Sequence, residues 1–176
     1  MIYPVKLLFG FLMMIVCTTT GCVSEDEPQG PSLSVGATLP DFSVVMNDGN
    51  IVSSSSLKGH IPVIVFFNTG CSDCRKELPV IQSLWNEYKD DSQVIIIPIS
   101  REESEAEVLS YWKENGLRMP FSAQETRDIY SLFAPSVIPR IYIADKSGVI
   151  TATYDDSNMP TFEELKSSIV AALAHQ

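Results

Sequence analysis

The sequence predicts one α/β domain with a central mixed β-sheet, and three observations lead to this prediction. Two apolar runs, Ile61 to Phe67 and residues 94–99, show no polar alternation, which is typical of strands covered on both faces. Amphipathic segments follow these runs and predict helices that flank the sheet. The complete order is a hairpin, then β-α-β-α, a short helix and finally β-β-α, which suits a single layered domain.

A β-hairpin is predicted at the start of the domain, near Val35. The apolar positions of its first strand alternate with polar ones and are Phe42, Val44 and Met46. Residues 47–50 (Asn-Asp-Gly-Asn) are typical of a tight turn, after which an apolar strand resumes. The serines at 53–56 are expected to end that strand and to cap a turn that continues through Leu57 and closes at Gly59.

Two capping boxes indicate where helices begin. In this motif a serine or threonine and a glutamate three residues later each accept a hydrogen bond from the other's backbone N–H. Residues 100–103 (Ser-Arg-Glu-Glu) are expected to open an inserted helix that ends at Gly116. Its predicted buried residues are Val108, Leu109 and Trp112. Residues 161–164 (Thr-Phe-Glu-Glu) are expected to open the last helix, which buries Phe162, Leu165, Ile169 and Leu173.

The remaining elements follow from the same patterns. The helix after residue 74 has a stripe that predicts burial of Leu78, Ile81, Leu84 or Trp85, and Tyr88. A short helix containing Ile129, Leu132 and Phe133 is expected to stop before Pro135. Residues 141–144 and 149–154, separated by a turn at 145–148, predict a second hairpin.

Cys71 and Cys74 stand where the first buried strand gives way to a helix. Two thiols at this spacing can close a small disulfide ring and reopen it with little backbone movement. Cys71 would lie at the helix N-terminus, where unpaired N–H groups and the helix dipole favour a thiolate. Cys74 lies one turn further along, placed to attack a mixed disulfide formed on Cys71. The pair therefore predicts a redox site.

Other uses of these cysteines have less support. A zinc site usually needs four nitrogen or sulfur ligands, and only His60 and His175 could assist, neither at ligand spacing. We expect both histidines to face solvent, and we expect no metal and no other cofactor. An inert structural disulfide between Cys71 and Cys74 is the remaining alternative.

Residues 1–21 predict a lipoprotein signal peptide. Lys6 precedes an apolar run at 7–16 that is too short to span a bilayer. Residues 19–22 (Thr-Thr-Gly-Cys) resemble a bacterial lipobox, in which Cys22 would be lipid-modified and become the first mature residue. The match is imperfect because Thr19 stands where this motif usually has leucine. An ordinary signal peptide with an incidental cysteine is the alternative.

A flexible tether is predicted at residues 22–34, which are acidic and rich in Pro, Gly and Ser, before the domain at 35–176. Its acidic cluster at 25–27 resembles a signal for export to the cell surface, or is simply a solvated linker. Loss of Lys6 with the leader changes the net charge from −10 to −11. Such a chain is a poor candidate for binding nucleic acid or anionic headgroups, so we expect the lipid on Cys22 to anchor it.

These features together resemble the thioredoxin fold. The resemblance rests on the Cys-x-x-Cys pair after a buried strand, on Pro79, and on Val137-Ile138-Pro139 leading into a strand–turn–strand–helix ending. The N-terminal hairpin, the inserted helix and the leader narrow it to the TlpA/ResA/DsbE-like group of exported thiol–disulfide oxidoreductases. It covers residues 35–175, approximately the whole predicted domain.

The resemblance implies a role for each matching position. Cys71 would be the exposed nucleophile and Cys74 the resolving thiol, and the two would form the redox disulfide. Pro139 would be the cis-proline that packs beside the pair and helps to hold the substrate backbone. Pro79 would kink the helix. Glu77 would be a glutamate that tunes the thiols, or else an ordinary exposed helix residue.

Five positions depart from the pattern of this group or of thioredoxin itself. Gly70 replaces the tryptophan that usually precedes the first cysteine, and Val65 stands where thioredoxin has a buried aspartate. Ser72 and Asp73 replace the frequent Gly-Pro between the cysteines. Arg140 replaces the threonine after the cis-proline, and its guanidinium would favour the thiolate if it lay beside it. These departures leave the redox potential and the substrate open.

The function implied by the resemblance is that of a membrane-anchored disulfide reductase of the cell envelope. Its partners would be exported proteins with disulfides, apocytochrome c being the best-known client of the group, and a membrane electron donor. Carboxylates at Asp73 and Glu77 would oppose the thiolate and so favour a reductant over an oxidant. Two alternatives stay open: a peroxiredoxin-like peroxidase, whose motif needs threonine where Asn68 stands, and a non-catalytic binding module.

Overall fold

The computed structural model describes residues 31–175 of the 176-residue chain. In chain order the elements are β1 (Ser43–Val45), β2 (Ile51–Ser53), β3 (Ile61–Phe67), α1 (Ser72–Tyr88), β4 (Val94–Ser100), α2 (Glu105–Asn115), α3 (Asp128–Ser131), β5 (Arg140–Ala144), β6 (Ile150–Tyr154) and α4 (Phe162–Ala174). The predicted order of strands and helices is confirmed.

The main sheet is mixed, as predicted, with strand order β4-β3-β5-β6. The central strand β3 runs parallel to β4 and antiparallel to β5, so that Val63 lies between Ile96 and Ile143. Every residue of β3 is buried, which explains why its sequence carries no polar alternation. A short separate sheet pairs β1 with β2.

Each face of the main sheet packs into its own apolar cluster. The helix-side cluster contains Val63, Val65 and Phe67 from β3, together with buried residues of α1, α2 and α4. The aromatic cluster covers the opposite face and contains Phe66, Tyr130, Phe133 and Tyr142. In it the Phe66 ring lies 4.9 Å from that of Phe133 and 5.3 Å from that of Tyr130, measured between centroids. A fully buried phenylalanine stabilises the fold by roughly 2–3 kcal/mol relative to an exposed one.

The N-terminal hairpin forms as predicted and is held against the domain. Gly49 lies in its turn with φ of +86°, a conformation that side chains disfavour. Asn47 binds Phe121 twice: its N–H donates to the Phe121 carbonyl at 2.7 Å, and its side-chain oxygen accepts from the Phe121 N–H at 2.9 Å.

The first predicted capping box was wrong. Ser100 is the last residue of β4, where it pairs with Phe67, because the parallel ladder continues one residue beyond the predicted strand end. Helix α2 is instead capped by Ser104 with Glu107, while the second predicted box, Thr161 with Glu164, is confirmed. Leu109 is 44% exposed rather than buried, because it lies on the outer face of α2.

The leader (1–21), Cys22 and the tether as far as residue 30 lie outside the described residues. Leu33 already belongs to the domain: its N–H donates to the Phe133 carbonyl at 2.9 Å, and its half-buried side chain packs on the aromatic cluster. Within residues 31–175, no helix has the length and apolar character needed to cross a membrane.

Candidate active site

The two cysteines lie at the start of α1, directly beyond the end of β3. Cys71 is the N-cap residue of the helix, and its sulfur accepts a hydrogen bond from the Cys74 N–H at 3.3 Å. Cys71 is half-buried, whereas Cys74 is fully buried in the helix-side cluster, and both are free thiols. The fold therefore exposes one sulfur of the pair and shields the other.

The buried thiol is held in its neutral form. Burial is the main cause that raises the pKa of Cys74, and the hydrogen bond with Cys71 raises it further. The positive charge of Arg101 acts in the opposite direction and is outweighed. Cys74 must consequently lose a proton before it can act as a nucleophile.

The loop before β5 forms the other wall of the site. The Ile138–Pro139 peptide bond is cis, and Pro139 is buried. The Cys71 thiol donates to the Ile138 carbonyl at 3.5 Å, so this loop and the cysteine pair are in direct contact. The structure thus brings Pro139 to the place that the resemblance implied, and its role toward a substrate stays a prediction.

Glu77 is a buried carboxyl group in the first turns of α1. Its side chain is 2% exposed, and its Oε1 atom has no hydrogen-bond partner among the described residues. Burial raises the pKa of Glu77 to about 7. The interpretation of Glu77 as an ordinary exposed helix residue is therefore excluded. A carboxyl group whose pKa lies near neutral pH is instead found one turn beyond Cys74.

Replacement of Glu77 by glutamine should change the pH dependence of stability. The folded-state pKa of about 7 exceeds the ordinary value of 4.5, so the folded chain keeps a proton that the unfolded chain loses. Stability is thus greatest below pH 4.5 and falls as the pH rises toward 7, by up to about 3 kcal/mol. Glu77→Gln should remove this loss, and urea unfolding of the reduced chain at pH 4 and pH 8 measures it.

Glu125→Gln, which changes an exposed glutamate, is the matched control for that experiment. We expect it to follow the wild type at both pH values. A stability difference between Glu77→Gln and wild type that is the same at both pH values would contradict the titration of a buried carboxyl group.

Asp73 is partly neutralised by its neighbour. Its carboxylate lies 2.7 Å from the Lys76 Nζ in an i,i+3 pair; the Lys76 side chain is largely open to solvent and that of Asp73 is partly open. Exposed pairs of this kind are screened and contribute little energy. Asp73 therefore opposes a thiolate less than its position between the cysteines suggests.

Arg140 does not lie where the sequence argument placed it. Alternation along β5 puts Arg140 on the face of Tyr142, whereas Ile141 packs in the cluster that holds Cys74. The Arg140 guanidinium lies 3.7 Å from the Asp155 carboxylate. The cation that acts on the Cys74 thiol is instead Arg101, which sequence reasoning did not single out.

A carboxylate that the sequence analysis misassigned holds the loop before Cys71. The buried Glu103 accepts from the Thr69 N–H at 3.0 and 3.2 Å and also from the Thr69 hydroxyl. The Arg75 Nε donates to the Thr69 carbonyl from the other side. Both polar groups of the Thr69 backbone are thus satisfied, which fixes the approach to the nucleophile. The only sequence signal was a glutamate three residues after the end of a strand.

The same loop explains the glycine that replaces tryptophan. The Gly70 N–H donates to the Asn68 side-chain oxygen at 2.8 Å, and the Asn68 amide donates to the Arg101 carbonyl at 3.0 Å. A Cβ atom at Gly70 would lie 3.0 Å from the Asn68 oxygen, tighter than ordinary contacts. Asn68 and Gly70 therefore act together as one turn.

The histidines add nothing to the site. His175 is exposed as predicted, whereas His60 is half-buried and its Nδ1 has no partner in the part of the chain that the structure describes. Across residues 31–175, no three His, Cys, Asp or Glu side chains lie in an arrangement that could hold a metal ion.

A solvent-facing thiol and a buried thiol, one helical turn apart on a fixed backbone, suit the exchange of disulfide bonds with a partner. The mixed sheet that carries them, with the pair after its central strand and a cis-proline loop opposite, is thioredoxin-like. The class is therefore that of the thioredoxin-like thiol–disulfide oxidoreductases. The chain belongs to the AhpC/TSA family, whose model matches residues 35–153, more than half of the chain.

Known proteins support the same class. The thiol-disulfide oxidoreductase ResA of Bacillus anthracis is 25% identical over 150 residues, which are 82% of this chain and 85% of that protein. The solution structure of a candidate protein disulfide isomerase from Bacteroides thetaiotaomicron has a TM-score of 0.71 and 30% identity, over 79% of this chain and 87% of that one. A thiol:disulfide interchange protein from Chlorobium tepidum TLS shows the shared fold, with a TM-score of 0.66 at 24% identity over 81% and 100% of the two chains. The predicted thioredoxin-like fold and the TlpA/ResA/DsbE type are thereby confirmed.

Proposed function

We propose that this chain is a disulfide reductase of the cell envelope that acts on exported proteins through Cys71 and Cys74. The observation that carries the proposal is the unequal exposure of the two thiols: Cys71 reaches solvent at the helix N-terminus, and Cys74 is buried behind it. A partner disulfide can therefore meet only one of them first. This geometry supports a cycle of two exchange steps in which Cys71 reacts before Cys74.

In the first step the Cys71 thiolate attacks one sulfur of the client disulfide. A bond forms between Cys71 and that sulfur, the client S–S bond breaks, and the second client sulfur leaves as a thiolate that takes up a proton from water. The helix N-terminus favours the attacking thiolate, and the Ile138 carbonyl beside it accepts a hydrogen bond when the thiol is protonated.

In the second step Cys74 resolves the mixed disulfide. Its thiol first loses a proton. The proton acceptor is Glu77, a buried carboxylate on the same helix with a pKa of about 7. The Cys74 thiolate attacks Cys71, the bond between Cys71 and the client breaks, and the client leaves with two reduced sulfurs. Cys71 and Cys74 are left as a disulfide, having given up two electrons.

A separate membrane protein that donates two electrons would restore the dithiol. The clients would be exported proteins whose cysteines must be kept reduced, and apocytochrome c is the client that the resemblance to the TlpA/ResA/DsbE group favours. The name of the ResA relatives, thiol-disulfide oxidoreductase, supports the exchange chemistry and leaves the client to be determined.

The test of this function is a comparison of substrates for the reduced full-length chain in detergent. We expect stoichiometric reduction of insulin disulfides, with Cys71 and Cys74 becoming oxidised together. Peroxide should react far more slowly, because Asn68 stands where a peroxidase needs threonine and its side chain is bound to Gly70 and Arg101. Consumption of hydrogen peroxide faster than of insulin disulfides would favour the peroxidase, and reaction with neither would favour a binding module.

Anchoring is the part of the proposal that depends on the leader. We infer that Cys22 carries the lipid and holds the domain at the membrane. The described residues contain no helix suited to cross a bilayer, and the acidic composition, with a net charge of −10, opposes binding to anionic headgroups.

Cys22→Ala should release the protein from the membrane fraction. The reason is that acyl chains would supply the membrane affinity, and the variant loses their attachment point. Fractionation of cells that express wild type or Cys22→Ala measures it, with Cys17→Ala as the matched control in the leader. Retention of Cys22→Ala at the membrane would assign the anchor to an uncleaved leader or a protein receptor.

A further inference from the structure

Three arginines surround the Tyr130 side chain, and we call Arg101, Arg127 and Arg140 the arginine cluster. The Arg101 guanidinium carbon lies 4.9 Å from the centre of the Tyr130 ring, and that of Arg127 lies 5.5 Å from it. The charge of Arg140 also acts on the Tyr130 phenol, whose pKa burial raises. Three cations thus converge on one side chain from three separate segments of the chain.

The arginine cluster borders the active site through the loop before β5. The Tyr130 hydroxyl donates to the Val137 carbonyl at 2.6 Å and also to the Ser136 carbonyl. Val137 is followed by Ile138, whose carbonyl receives the Cys71 thiol hydrogen bond. A polypeptide bound to Cys71 along this loop would therefore pass the cluster within a few residues of its own cysteine.

The charges of the cluster are only partly balanced. Glu102 lies 3.3 Å from the Arg101 Nε and 3.2 Å from an Arg127 nitrogen, so a single carboxylate faces two guanidinium groups. Asp155 faces Arg140 at 3.7 Å. Within these ion pairs three guanidinium groups face two carboxylates, in a chain whose net charge is −10, while the nearby Glu103 is engaged by Thr69. Cations that outnumber their ion-pair partners near the loop that contacts Cys71 favour an acidic partner.

Each arginine of the cluster is partly open to solvent, although its Nε atom is not always accessible. Among residues 31–175, the buried Nε atoms of Arg101 and Arg140 have no hydrogen-bond partner, although the first is close to Glu102. Because these two atoms are buried, a client would meet the outer guanidinium nitrogens, and the side chains of Arg101, Arg127 and Arg140 are 18%, 30% and 13% exposed. Stacking on Tyr130 orients the guanidinium groups of Arg101 and Arg127. A carboxylate is the acceptor that matches a guanidinium best, because the two can form paired charged hydrogen bonds.

We propose that the arginine cluster binds carboxylate side chains of the client segment that flanks the disulfide, so that this chain prefers acidic clients. The proposal rests on the reductase function and names the chemistry of its clients. It also explains why Arg140 follows Pro139: at this position the side chain turns away from the thiols and toward Tyr130 and Asp155.

The experiment compares three peptides with the same internal disulfide, flanked by two Glu, two Gln or two Lys. Their rates of reduction by the reduced full-length chain are measured at about 20 mM and about 500 mM salt, since salt screens such attraction. We expect the Glu peptide to react about tenfold faster than the Gln peptide at low salt, and the ratio to fall toward one at high salt. The net charge of −10 alone predicts the opposite order, with the Lys peptide fastest.

Variants locate the effect. Arg101→Gln and Arg140→Gln should each lower the Glu-to-Gln rate ratio at least threefold, whereas Arg118→Gln, at an exposed position outside the cluster, should keep the wild-type ratio. A wild-type ratio of one or less at low salt overturns the role of the cluster, and that result needs no variant to fold. A ratio that falls as much in Arg118→Gln as in the cluster variants overturns it as well. If the wild type reduces none of the peptides, the reductase function itself fails.

Discussion

Replacement of Cys71 by serine is expected to abolish disulfide reduction, lowering the rate of insulin reduction by about a thousandfold or more. A serine hydroxyl is not ionised at neutral pH, and the thiolate is the species that attacks a disulfide. Cys74 cannot substitute for it, because this thiol is fully buried and burial raises its pKa. The measurement is thiol release from insulin by the reduced chain.

Cys74→Ser should behave differently and accumulate mixed disulfides between Cys71 and its clients. The first exchange step is intact in this variant, and the step that releases the client is missing. Ser72→Ala is the control, since it changes the exposed residue between the cysteines and leaves both thiols. Trapped adducts in Cys71→Ser together with none in Cys74→Ser would reverse the roles of the two cysteines.

The second large effect concerns the direction of electron flow. We expect a reduction potential nearer to that of thioredoxin, about −270 mV, than to that of the strong oxidant DsbA, about −120 mV. The gap between these values corresponds to about 7 kcal/mol. A strong oxidant needs a strongly stabilised thiolate, and the buried Glu77 carboxylate opposes one at pH values above its pKa of about 7. Asp73 is paired with Lys76, whereas the Glu77 Oε1 has no hydrogen-bond partner among the described residues, so Glu77 is the carboxylate to replace first.

Equilibration of the Cys71–Cys74 pair against glutathione at pH 8 measures the potential. Glu77→Gln should raise it by about 30 mV, because a neutral amide no longer opposes the thiolate. Glu125→Gln, which changes an exposed glutamate, should leave the potential at the wild-type value. A wild-type potential close to that of the strong oxidant would contradict the reductase function and make this chain a disulfide donor.

The sequence predicted best those parts of the fold that are set by residues close together in the chain. The unbroken apolar run of β3 and the Thr161–Glu164 box each depend on residues close in the chain, and both are confirmed. The capping box predicted at Ser100 was wrong because the motif is local, whereas the end of β4 is set by the pairing of Ser100 with Phe67, a residue far away in the chain. The local pattern does not distinguish Ser100, which ends the strand, from Ser104, which caps the helix.

In the candidate site, too, the features set by residues close in the chain were predicted and those set by tertiary packing were not. The spacing of Cys71 and Cys74 and their place at a strand–helix junction were visible in the sequence. The burial of Glu77 was not, because a charged residue in a helix is normally exposed and only tertiary packing covers it here. The grip of Glu103 on Thr69 joins residues far apart in the chain, so spacing could not reveal it.

The central strand β3 pairs with one strand that is near in the chain and one that is distant, and this determines when the Cys74 thiol becomes buried during folding. Its parallel neighbour β4 follows soon after it, but its antiparallel neighbour β5 is reached only after α2 and α3. Closing so long a loop is slow compared with forming local structure. Cys74 shares its buried cluster with Ile141 of β5, so a chain in which β5 has not yet docked would leave that cluster open. Partly folded molecules would then offer two reactive sulfurs where the finished domain offers one, and the rate at which Cys74 escapes alkylation during refolding would time the closure of the sheet.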